Sequence, residues 1–371
     1  MYHICYSNPK AWEISYKTGI YGNVTIERNI VPPAKQEEED ARYVRGLWGL
    51  FIDLTALKAG DKVFFYVKES QLLKGVFEVV DDSFFCQDDL FKDNNKSYPF
   101  RFYFREIKHY DKSIPASELA SLIENGQLIS ISSFERDIQG SFRGIRQITN
   151  DEGLILEKIF SRLNPKSDSN KTLSYDYEEI NDELEIIEVV NSLKDGETFS
   201  TPVRLNFSTL PVVAKNQKEY ICQNENALKG FIFYCLRRGL NNVIEDIEVN
   251  NFTECLMEFP MMKAQQYSAD ILCIYRNEDN FPHYYSFIEI KRNSKIKRTH
   301  LSQLLHYMKT FSVSKKVLFK SVEGIYISNN FDDEAKKYLT ERNEVEKEDT
   351  IRLIKYTVNN LGQVSFEQIA I

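Results

Sequence analysis

The spacing of apolar and polar residues changes along the chain and predicts two regions of different architecture. In the first region, short runs rich in β-branched and aromatic residues at 62–68, 73–80 and 99–107 are separated by turn residues, which is typical of strands. Helical spacing is rarer there and appears at 116–124 and 150–160. This pattern predicts a β-rich domain with peripheral helices.

The second region alternates helical and strand patterns. Apolar residues at Leu228, Phe231, Ile232 and Cys235 predict a helix over 225–238, and another helix is predicted over 301–311. The predicted strands are 269–275, 285–291, 316–319 and 325–328. This alternation indicates an α/β core.

Two polar stretches interrupt these patterns. Residues from 163 to about 179 combine Pro, Ser, Asn and Asp with little apolar periodicity, which is typical of a linker. We therefore predict one domain at 1–162, a linker at 163–182 and a second domain at 183–371. Residues 32–40 (PPAKQEEED) are predicted to form a surface loop within the first domain.

Composition and charge narrow the classes of function. A chain of 371 residues can form two cores, and 42% hydrophobic and 27% charged residues are typical of a soluble globular protein. No apolar run is long enough to span a bilayer, and residues 1–6 do not resemble a signal peptide. We therefore expect a cytoplasmic protein without a membrane partner. The formal net charge of -8 argues against a protein that coats nucleic acid, although a local basic groove is compatible with it.

The cysteines and histidines give no sign of a zinc site. None of the six cysteines forms a CxxC pair, and several lie in apolar runs, so we expect small buried side chains in a reducing compartment. The five histidines are scattered, apart from His300 and His306, whereas zinc needs clustered Cys and His ligands.

Three charged residues in the second region suggest a catalytic site. Asp270 begins one predicted strand, and Glu289 and Lys291 are two residues apart on the next, so their side chains leave the same face of the sheet. Hydrolysis of a phosphodiester needs a hard cation with oxygen ligands, and a nearby lysine can orient the nucleophile or stabilise developing charge. The alternative is a solvated pair of strand residues beside an aspartate that caps a strand.

The segments around these residues occur in a recognisable order. Residues 268–275 (SADILCIY), 287–292 (FIEIKR) and 303–307 (QLLHY) together resemble the PD-(D/E)XK nuclease core and the QxxxY element of its RecB-like branch. The resemblance covers roughly residues 215–330, and the family's lead proline is absent. It implies a restriction-endonuclease-like fold with Asp270, Glu289 and Lys291 as catalytic residues. It also implies that Asp270 and Glu289 bind Mg²⁺, for which Mn²⁺ substitutes.

The resemblance implies further site residues. An acidic residue on an upstream helix often completes such a site; Glu225 matches this position, and Glu258 competes with it. Gln303 and Tyr307 are four residues apart on a predicted helix whose other side is apolar. We therefore expect Gln303 and Tyr307 to contact nucleic acid.

A run of five basic residues lies between the predicted strand and this helix, in residues 291–298 (KRNSKIKR). Contacts to phosphate groups would explain Lys295, Lys297 and Arg298. A solvated loop would explain them equally well.

Segments of the first region follow an order known from another family. Residues 1–7 (MYHICYS), 19–23 (GIYGN), 57–66 (LKAGDKVFFY), 74–79 (KGVFEV) and 140–149 (GSFRGIRQIT) resemble the EVE and YTH group of PUA-like barrels, over roughly residues 1–160. In that family a flipped and commonly modified nucleobase is held in an aromatic cage, where stacking and edge hydrogen bonds recognise it.

The second resemblance implies a modified-base pocket. Its candidate walls are Tyr21, Trp48 and either Phe84 or Phe85, and Asn23 could bond a base edge because its amide both donates and accepts. Tyr21 replaces the tryptophan usual at the matching YTH position. The alternative is that these rings fill the core of the barrel, since aromatic residues make up 13% of the chain.

Together the two regions predict a metal-dependent endonuclease that recognises a modified base in DNA, that is, a modification-dependent DNA restriction enzyme. One alternative is a nuclease of DNA repair, acting on mismatches or flaps, or of RNA processing. Another is a non-catalytic nucleic-acid-binding protein with a vestigial acidic site. A homodimer is expected, because cutting two strands needs two sites or two successive cuts.

Overall fold

The computed structural model describes residues 1–25, 27, 29–91, 97–131, 144–166, 171–217, 219–240, 247, 249, 251–260, 268–346 and 351–370. The chain divides into two compact units, Met1–Phe207 and Ser208–Ile371. Each contains helices and one large sheet.

The described strands are β1 (Tyr2–Ser7), β2 (Ile20–Asn23), β3 (Lys62–Val67), β4 (Leu72–Val79), β5 (Phe84–Phe85), β6 (Phe100–Lys108), β7 (Ile114–Pro115), β8 (Ile145–Ile148), β9 (Glu183–Glu185), β10 (Val203–Asn206), β11 (Val212–Ala214), β12 (Tyr220–Cys222), β13 (Glu254–Pro260), β14 (Ser268–Arg276), β15 (Pro282–Lys291), β16 (Val322–Ser328), β17 (Ile351–Val358) and β18 (Val364–Gln368). The described helices are α1 (Pro9–Thr18), α2 (Gln36–Thr55), α3 (Ala116–Glu124), α4 (Asn150–Leu163), α5 (Ile186–Asp195), α6 (Glu225–Arg238), α7 (Arg298–Lys315) and α8 (Asp333–Glu346).

The first unit is built on β1 to β10. Their order is β8-β1-β3-β4-β6-β5-β10-β9, with β2 paired to β6 and β7 paired to β4. In the described chain this path is open, with β8 and β9 at its ends. The β-rich first domain with helices is confirmed, and β3, β4, β6, α3 and α4 lie within a few residues of their predicted positions. The PUA-like barrel stays a prediction, and residues 140–143 of its closing segment lie outside the described residues.

The predicted surface loop at 32–40 is wrong. Pro33–Lys35 form a 3₁₀ turn, and α2 begins at Gln36. The acidic residues that suggested a loop occupy the first turn of α2, where carboxylates interact favourably with the positive end of the helix dipole. Glu39 also accepts hydrogen bonds from the backbone N–H of Asn29 and from Arg42.

The predicted linker at 163–182 lies within the first unit, because its aromatic residues pack there. The Tyr175 hydroxyl donates to the Tyr16 carbonyl at 2.9 Å, and the Tyr177 hydroxyl donates to the Phe104 carbonyl at 2.6 Å. The Tyr175 ring lies so close to Gly19 that a Cβ there would be 2.7 Å from its Cγ. Farther on, β10 pairs with β5 and β9, and the two units divide after Phe207.

The second unit has a mixed sheet. Its order is β11-β12-β17-β16-β15-β14-β13, with β18 paired to β17. The central strands β15, β16 and β17 are parallel, and their neighbours are antiparallel. Helix α6 contacts β13 and β15, and α7 contacts β16. The α/β character of the second domain is therefore confirmed, while its restriction-endonuclease-like fold stays a prediction.

The predicted strand at 316–319 is wrong. Lys316 ends α7 in the left-handed conformation, with φ of 56°, and Phe319–Ser321 form a 3₁₀ turn before β16. Leu318 is 66% exposed. The short apolar run is therefore part of the connection to β16 and not of the sheet.

All six cysteines are buried and free, as predicted. Among the described residues, no helix is both long and apolar enough to cross a bilayer.

Candidate active site

Strands β14 and β15 bring the predicted acidic residues together in the second unit. The strands are antiparallel, and Ile271 pairs with Ile288, so Asp270 and Glu289 occupy neighbouring positions at the next step along the pair. The backbone N–H of Ile290 donates to Asp270 Oδ2 at 2.8 Å. Glu289 and Lys291 leave the same face of β15 because side chains alternate along a strand.

Helix α6 carries Glu225 to the same place. Asn224 caps this helix by accepting a hydrogen bond from the backbone N–H of Asn226 at 2.8 Å, which places Glu225 in the first turn. Glu225 Oε1 lies 3.5 Å from Lys291 Nζ, and its Oε2 accepts the backbone N–H of Arg292 at 3.3 Å. Burial tends to raise the pKa of Glu225, but Lys291 and Lys229 lower it more, so the pKa is lowered overall.

Lys229 is a member of this cluster that the sequence patterns did not single out. Its Nζ lies 2.6 Å from Asp270 Oδ1 and 3.4 Å from Glu225 Oε1. Burial lowers the pKa of Lys229, but the neighbouring Asp270 and Glu225 carboxylates raise it more. The signal in the sequence is the spacing of four between Glu225 and Lys229, which places both on one face of α6.

Glu289 is a buried carboxyl group with an incomplete set of partners. It is 8% exposed, and its Oε1 has no hydrogen-bond partner among the described residues. Burial, and after it the negative charge of Asp270, raise the pKa of Glu289 to about 8. Glu289 therefore holds a proton at neutral pH unless a cation compensates the second negative charge.

These residues fit a magnesium ion with few protein ligands. Across the described ranges, His, Cys, Asp and Glu side chains form no cluster of three or more that could hold a metal. Mg²⁺, however, is commonly held by one or two carboxylates and keeps several water molecules. Asp270 and Glu289 supply two hard oxygen donors, and Glu289 Oε1, unpartnered within the described chain, offers a free position.

Glu258, the rival of Glu225, lies on β13 beside β14. The register pairs Met257 with Ile271 and Phe259 with Ala269, so Glu258 is opposite Asp270 in an irregular part of the ladder. Its backbone has φ of 49°, a left-handed conformation that costs a non-glycine residue free energy.

Gln303 and Tyr307 lie together on α7, with the Gln303 side-chain amide donating to the Tyr307 hydroxyl. Their exposures differ, since Gln303 is exposed whereas Tyr307 is only 4% exposed. The predicted separation of an apolar and a polar face therefore holds for Gln303 only. Tyr307 is one turn from the buried Leu304 and Phe311, which explains its burial.

The three basic residues before and at the start of α7 are exposed. Lys295 Nζ lies 3.3 Å from Asp332 Oδ1, and the Arg298 guanidinium lies 4.7 Å from the centre of the Tyr338 ring. The backbone N–H of Lys297 donates to His300 Nδ1 at 3.0 Å. Their arrangement is compatible with both predictions, phosphate contacts and a solvated loop.

The residues proposed for the modified-base pocket lie on both faces of the first unit's sheet. Gly22 of β2 and Phe84 of β5 both pair with Arg101, from opposite sides of β6. Because side chains alternate along a strand, Tyr21 and Asn23 face away from the side that carries Phe84. The structure therefore does not bring Phe84 into one pocket with Tyr21 and Asn23. Phe85, the alternative wall, pairs with Phe100 as Asn23 does and shares their face, but its ring is fully buried.

All of the proposed cage rings are buried, since Phe84 is 1% exposed and Phe85 is fully buried, as are Tyr21 and Trp48. Tyr21 is fully buried, its ring centre is 4.9 Å from that of Phe102, and its hydroxyl donates to the carbonyls of Tyr6 and Gly144. Trp48, on α2, is 1% exposed and packs its ring against Phe207. The environment of Tyr21 and Trp48 therefore matches the alternative interpretation, that these rings fill the core.

Phe84 lines a cavity on the other face of the sheet. This cavity of about 390 Å³ is lined by Lys17, Thr18, Ile20, Phe84, Asp88, Leu90, Arg101, Tyr103, Ser174, Tyr175, Asp176, Glu178 and Pro202. The rings of Phe84 and Tyr103 are in contact, with centres 4.8 Å apart. Arg101 is fixed by Asp88, with Nη2 and Oδ1 separated by 2.7 Å.

Comparisons with known proteins do not identify a family for this chain. No family model matches the sequence, and no curated protein matches it. A crystal structure of an Agrobacterium tumefaciens protein from a structural genomics consortium is 18% identical and covers 45% of this chain and 98% of its own, with a TM-score of 0.27. SfsA of Pyrococcus furiosus, in complex with Ca²⁺, is 12% identical and covers 47% of this chain and 73% of its own, with a TM-score of 0.26. The MspJI restriction endonuclease, in complex with a 27-mer oligonucleotide, is 10% identical. It covers 94% of this chain and 72% of its own, with a TM-score of 0.19. Such low overlap decides neither the fold nor the function of this chain.

Proposed function

We propose that the second unit is a metal-dependent nuclease. The observation that carries this proposal is the cluster of Asp270, Glu289 and Lys291, in which a buried Glu289 oxygen has no hydrogen-bond partner in the described chain. An unsatisfied buried carboxyl group is costly and calls for an explanation, and ligand binding is one.

The residues divide the chemistry of phosphodiester hydrolysis among them. Asp270 and Glu289 would hold Mg²⁺ or Mn²⁺, which when bound neutralises the phosphate and lowers the pKa of the attacking water. Lys291 offers an ammonium group for the charge that develops on the phosphate. Glu225, 3.5 Å from Lys291 Nζ, orients that ammonium.

A cleavage assay with substituted residues tests the nuclease function. We expect Asp270→Asn and Lys291→Ala to lower Mg²⁺-dependent cleavage by at least about 100-fold, because each removes a charge-stabilising group. Lys215→Ala is the matched control, because Lys215 forms an exposed pair with Glu219 in the same unit. Full activity of either purified active-site variant would overturn the proposal.

For the whole chain we propose modification-dependent DNA restriction, with the first unit reading the base. Support comes from the aromatic cavity beside Phe84, whose volume of about 390 Å³ lies within the range of roughly 300–1,000 Å³ usual for small-molecule sites. Phe84 and Tyr103 are buried in its wall, and the half-buried Tyr175 offers a ring on which a flipped base could stack.

Matched substrates test this second step. DNA without modification, with methylated or hydroxymethylated cytosine, and with methylated adenine is incubated with the full chain and Mg²⁺. Cleavage of modified DNA only would support the proposal, and equal cleavage of all substrates would overturn it.

The rival function is a nuclease that does not read modification, in DNA repair or RNA processing. The burial of Tyr21 and Trp48 favours it, because the rings expected to hold a base are occupied in the core. Equal cleavage of modified and unmodified substrate, with a preference for mismatches, flaps or structured RNA, is the expected result in that case.

A further inference from the structure

Lys229 occupies the part of the candidate site where a cation is needed. Its side chain is 15% exposed, and its ammonium contacts both Asp270 Oδ1 and Glu225 Oε1. Asp270 Oδ2 is already engaged by the backbone N–H of Ile290. Asp270 Oδ1 is therefore the oxygen that a metal could reach without disturbing the contact between β14 and β15, and Lys229 is bound to it.

We propose that Lys229 is a positioning residue that competes with the divalent cation and is displaced from Asp270 when the cation binds. The inference rests on the proposed nuclease function. Two positive charges cannot share one carboxylate oxygen at close range without repulsion. In the absence of metal, the ammonium compensates Asp270 and Glu225 and holds α6 against β14.

Competition and structural damage predict opposite changes in the affinity for the metal. Removing the ammonium while keeping the length of the side chain, in Lys229→Met, should strengthen metal binding, whereas damage to the site would weaken it. The expected change is on the order of tenfold, within the usual range of coupling between two ligands. Without metal, the same variant should be less stable, because two carboxylates are left without their shared cation.

Calorimetric titration of the full chain with MnCl₂ tests the inference. Lys229→Met is compared with the wild type, with Lys229→Arg, which keeps the charge, and with Lys215→Met, which removes an exposed lysine four residues from its Glu219 partner. Tighter Mn²⁺ binding by Lys229→Met only is expected, and equal or weaker binding would overturn the inference. A wild type that binds no Mn²⁺ would instead overturn the proposed function.

A second measurement needs no substitution. Acylation of lysines by an N-hydroxysuccinimide ester, mapped by peptide mass spectrometry, should be faster at Lys229 in the presence of Mn²⁺, because the displaced ammonium is no longer held by Asp270. Lys215 provides the internal reference. Unchanged or slower acylation of Lys229, in protein that binds Mn²⁺, would contradict displacement.

Discussion

The raised pKa of Glu289 links the pH dependence of stability to the binding of a metal ion. Its pKa is raised to about 8 by burial and by Asp270, from an ordinary value of 4.5. Between these two pH values the folded protein keeps a proton that the unfolded chain releases. Without metal, the contribution of Glu289 to stability therefore falls as pH rises from about 4.5 to about 8.

Metal binding should consequently release a proton from Glu289. Near pH 6.5 we expect up to about one proton to be released per Mn²⁺ bound, and the affinity to rise with pH toward about 8. Calorimetry in buffers with different ionisation enthalpies measures this number. Glu289→Gln should remove both the proton release and most of the affinity, and a pH-independent affinity in the wild type would contradict the assignment.

The two candidate acidic residues can be separated by one pair of substitutions. Glu225 contacts Lys291 and Lys229, so Glu225→Gln should lower the cleavage rate by about tenfold or more, through the loss of charge that orients Lys291. Glu258→Gln should have a smaller effect. Steady-state cleavage rates of both purified variants decide between them, and a larger loss in Glu258→Gln would make Glu258 the functional residue.

At the scale of elements, the β15–α7–β16 connection organises the second unit. Parallel strands need a crossover connection, and α7 provides it between β15 and β16. The connection leaves β15 directly after Lys291, so the basic run and Gln303 follow the candidate site in the chain. Gly324 of β16 makes the close approach of α7 possible, because a Cβ there would lie 2.8 Å from Met308 Sδ and 2.9 Å from Leu304 Cδ2.

Gly324→Ala should therefore loosen α7. We expect a loss of stability of about 1–3 kcal/mol, as is usual for an overpacked core, and faster hydrogen exchange in peptides from α7 and β16. Gly49→Ala is the control, because Gly49 lies inside α2 with open space around its missing Cβ. That substitution should be neutral or stabilising by up to about 1 kcal/mol, and equal effects of the two changes would contradict the packing argument.

At the scale of the whole molecule, the net negative charge of the chain opposes binding to DNA, which is itself a polyanion. The formal net charge is -8, so affinity for DNA must come from a local concentration of positive charge. The exposed Lys295, Lys297 and Arg298 provide one in the connection that follows Lys291 in the chain.

Neutralising these residues should weaken DNA binding irrespective of sequence. In an Asp270→Asn background without metal, Lys295→Gln, Lys297→Gln and Arg298→Gln together should reduce the slope of log affinity against log salt by up to about 0.9 for each phosphate group that the protein no longer neutralises. Lys336→Gln with Lys337→Gln on α8 is the control, since both lysines pair with nearby acidic residues. An unchanged salt dependence in the triple variant would assign the basic run to a solvated loop.

Long periodic segments were the predictable part of the fold. The helix at 225–238 and the strands β3, β4, β6, β14, β15 and β16 follow from apolar spacing, because each element buries one face or both. The central strand β17 was not predicted. The structures of the short segments at 32–40 and 316–319 were predicted wrongly, because polar or apolar composition over a few residues is compatible with several local structures. The packing of Tyr175 and Tyr177 could not be predicted either, since it depends on groups at Tyr16 and Phe104, far away in the chain.

The sequence by itself determined that Glu289 and Lys291 leave the same face of one strand, because side-chain alternation is a local property. The resemblance to a nuclease core predicted that Asp270 lies beside them. Only the tertiary structure decided that Lys229 binds Asp270, that a Glu289 oxygen lacks a partner among the described residues, and that Tyr21 and Phe84 lie on opposite faces. The physical reason is that burial, charge compensation and strand pairing depend on distances between residues remote in the chain, which local periodicity does not contain.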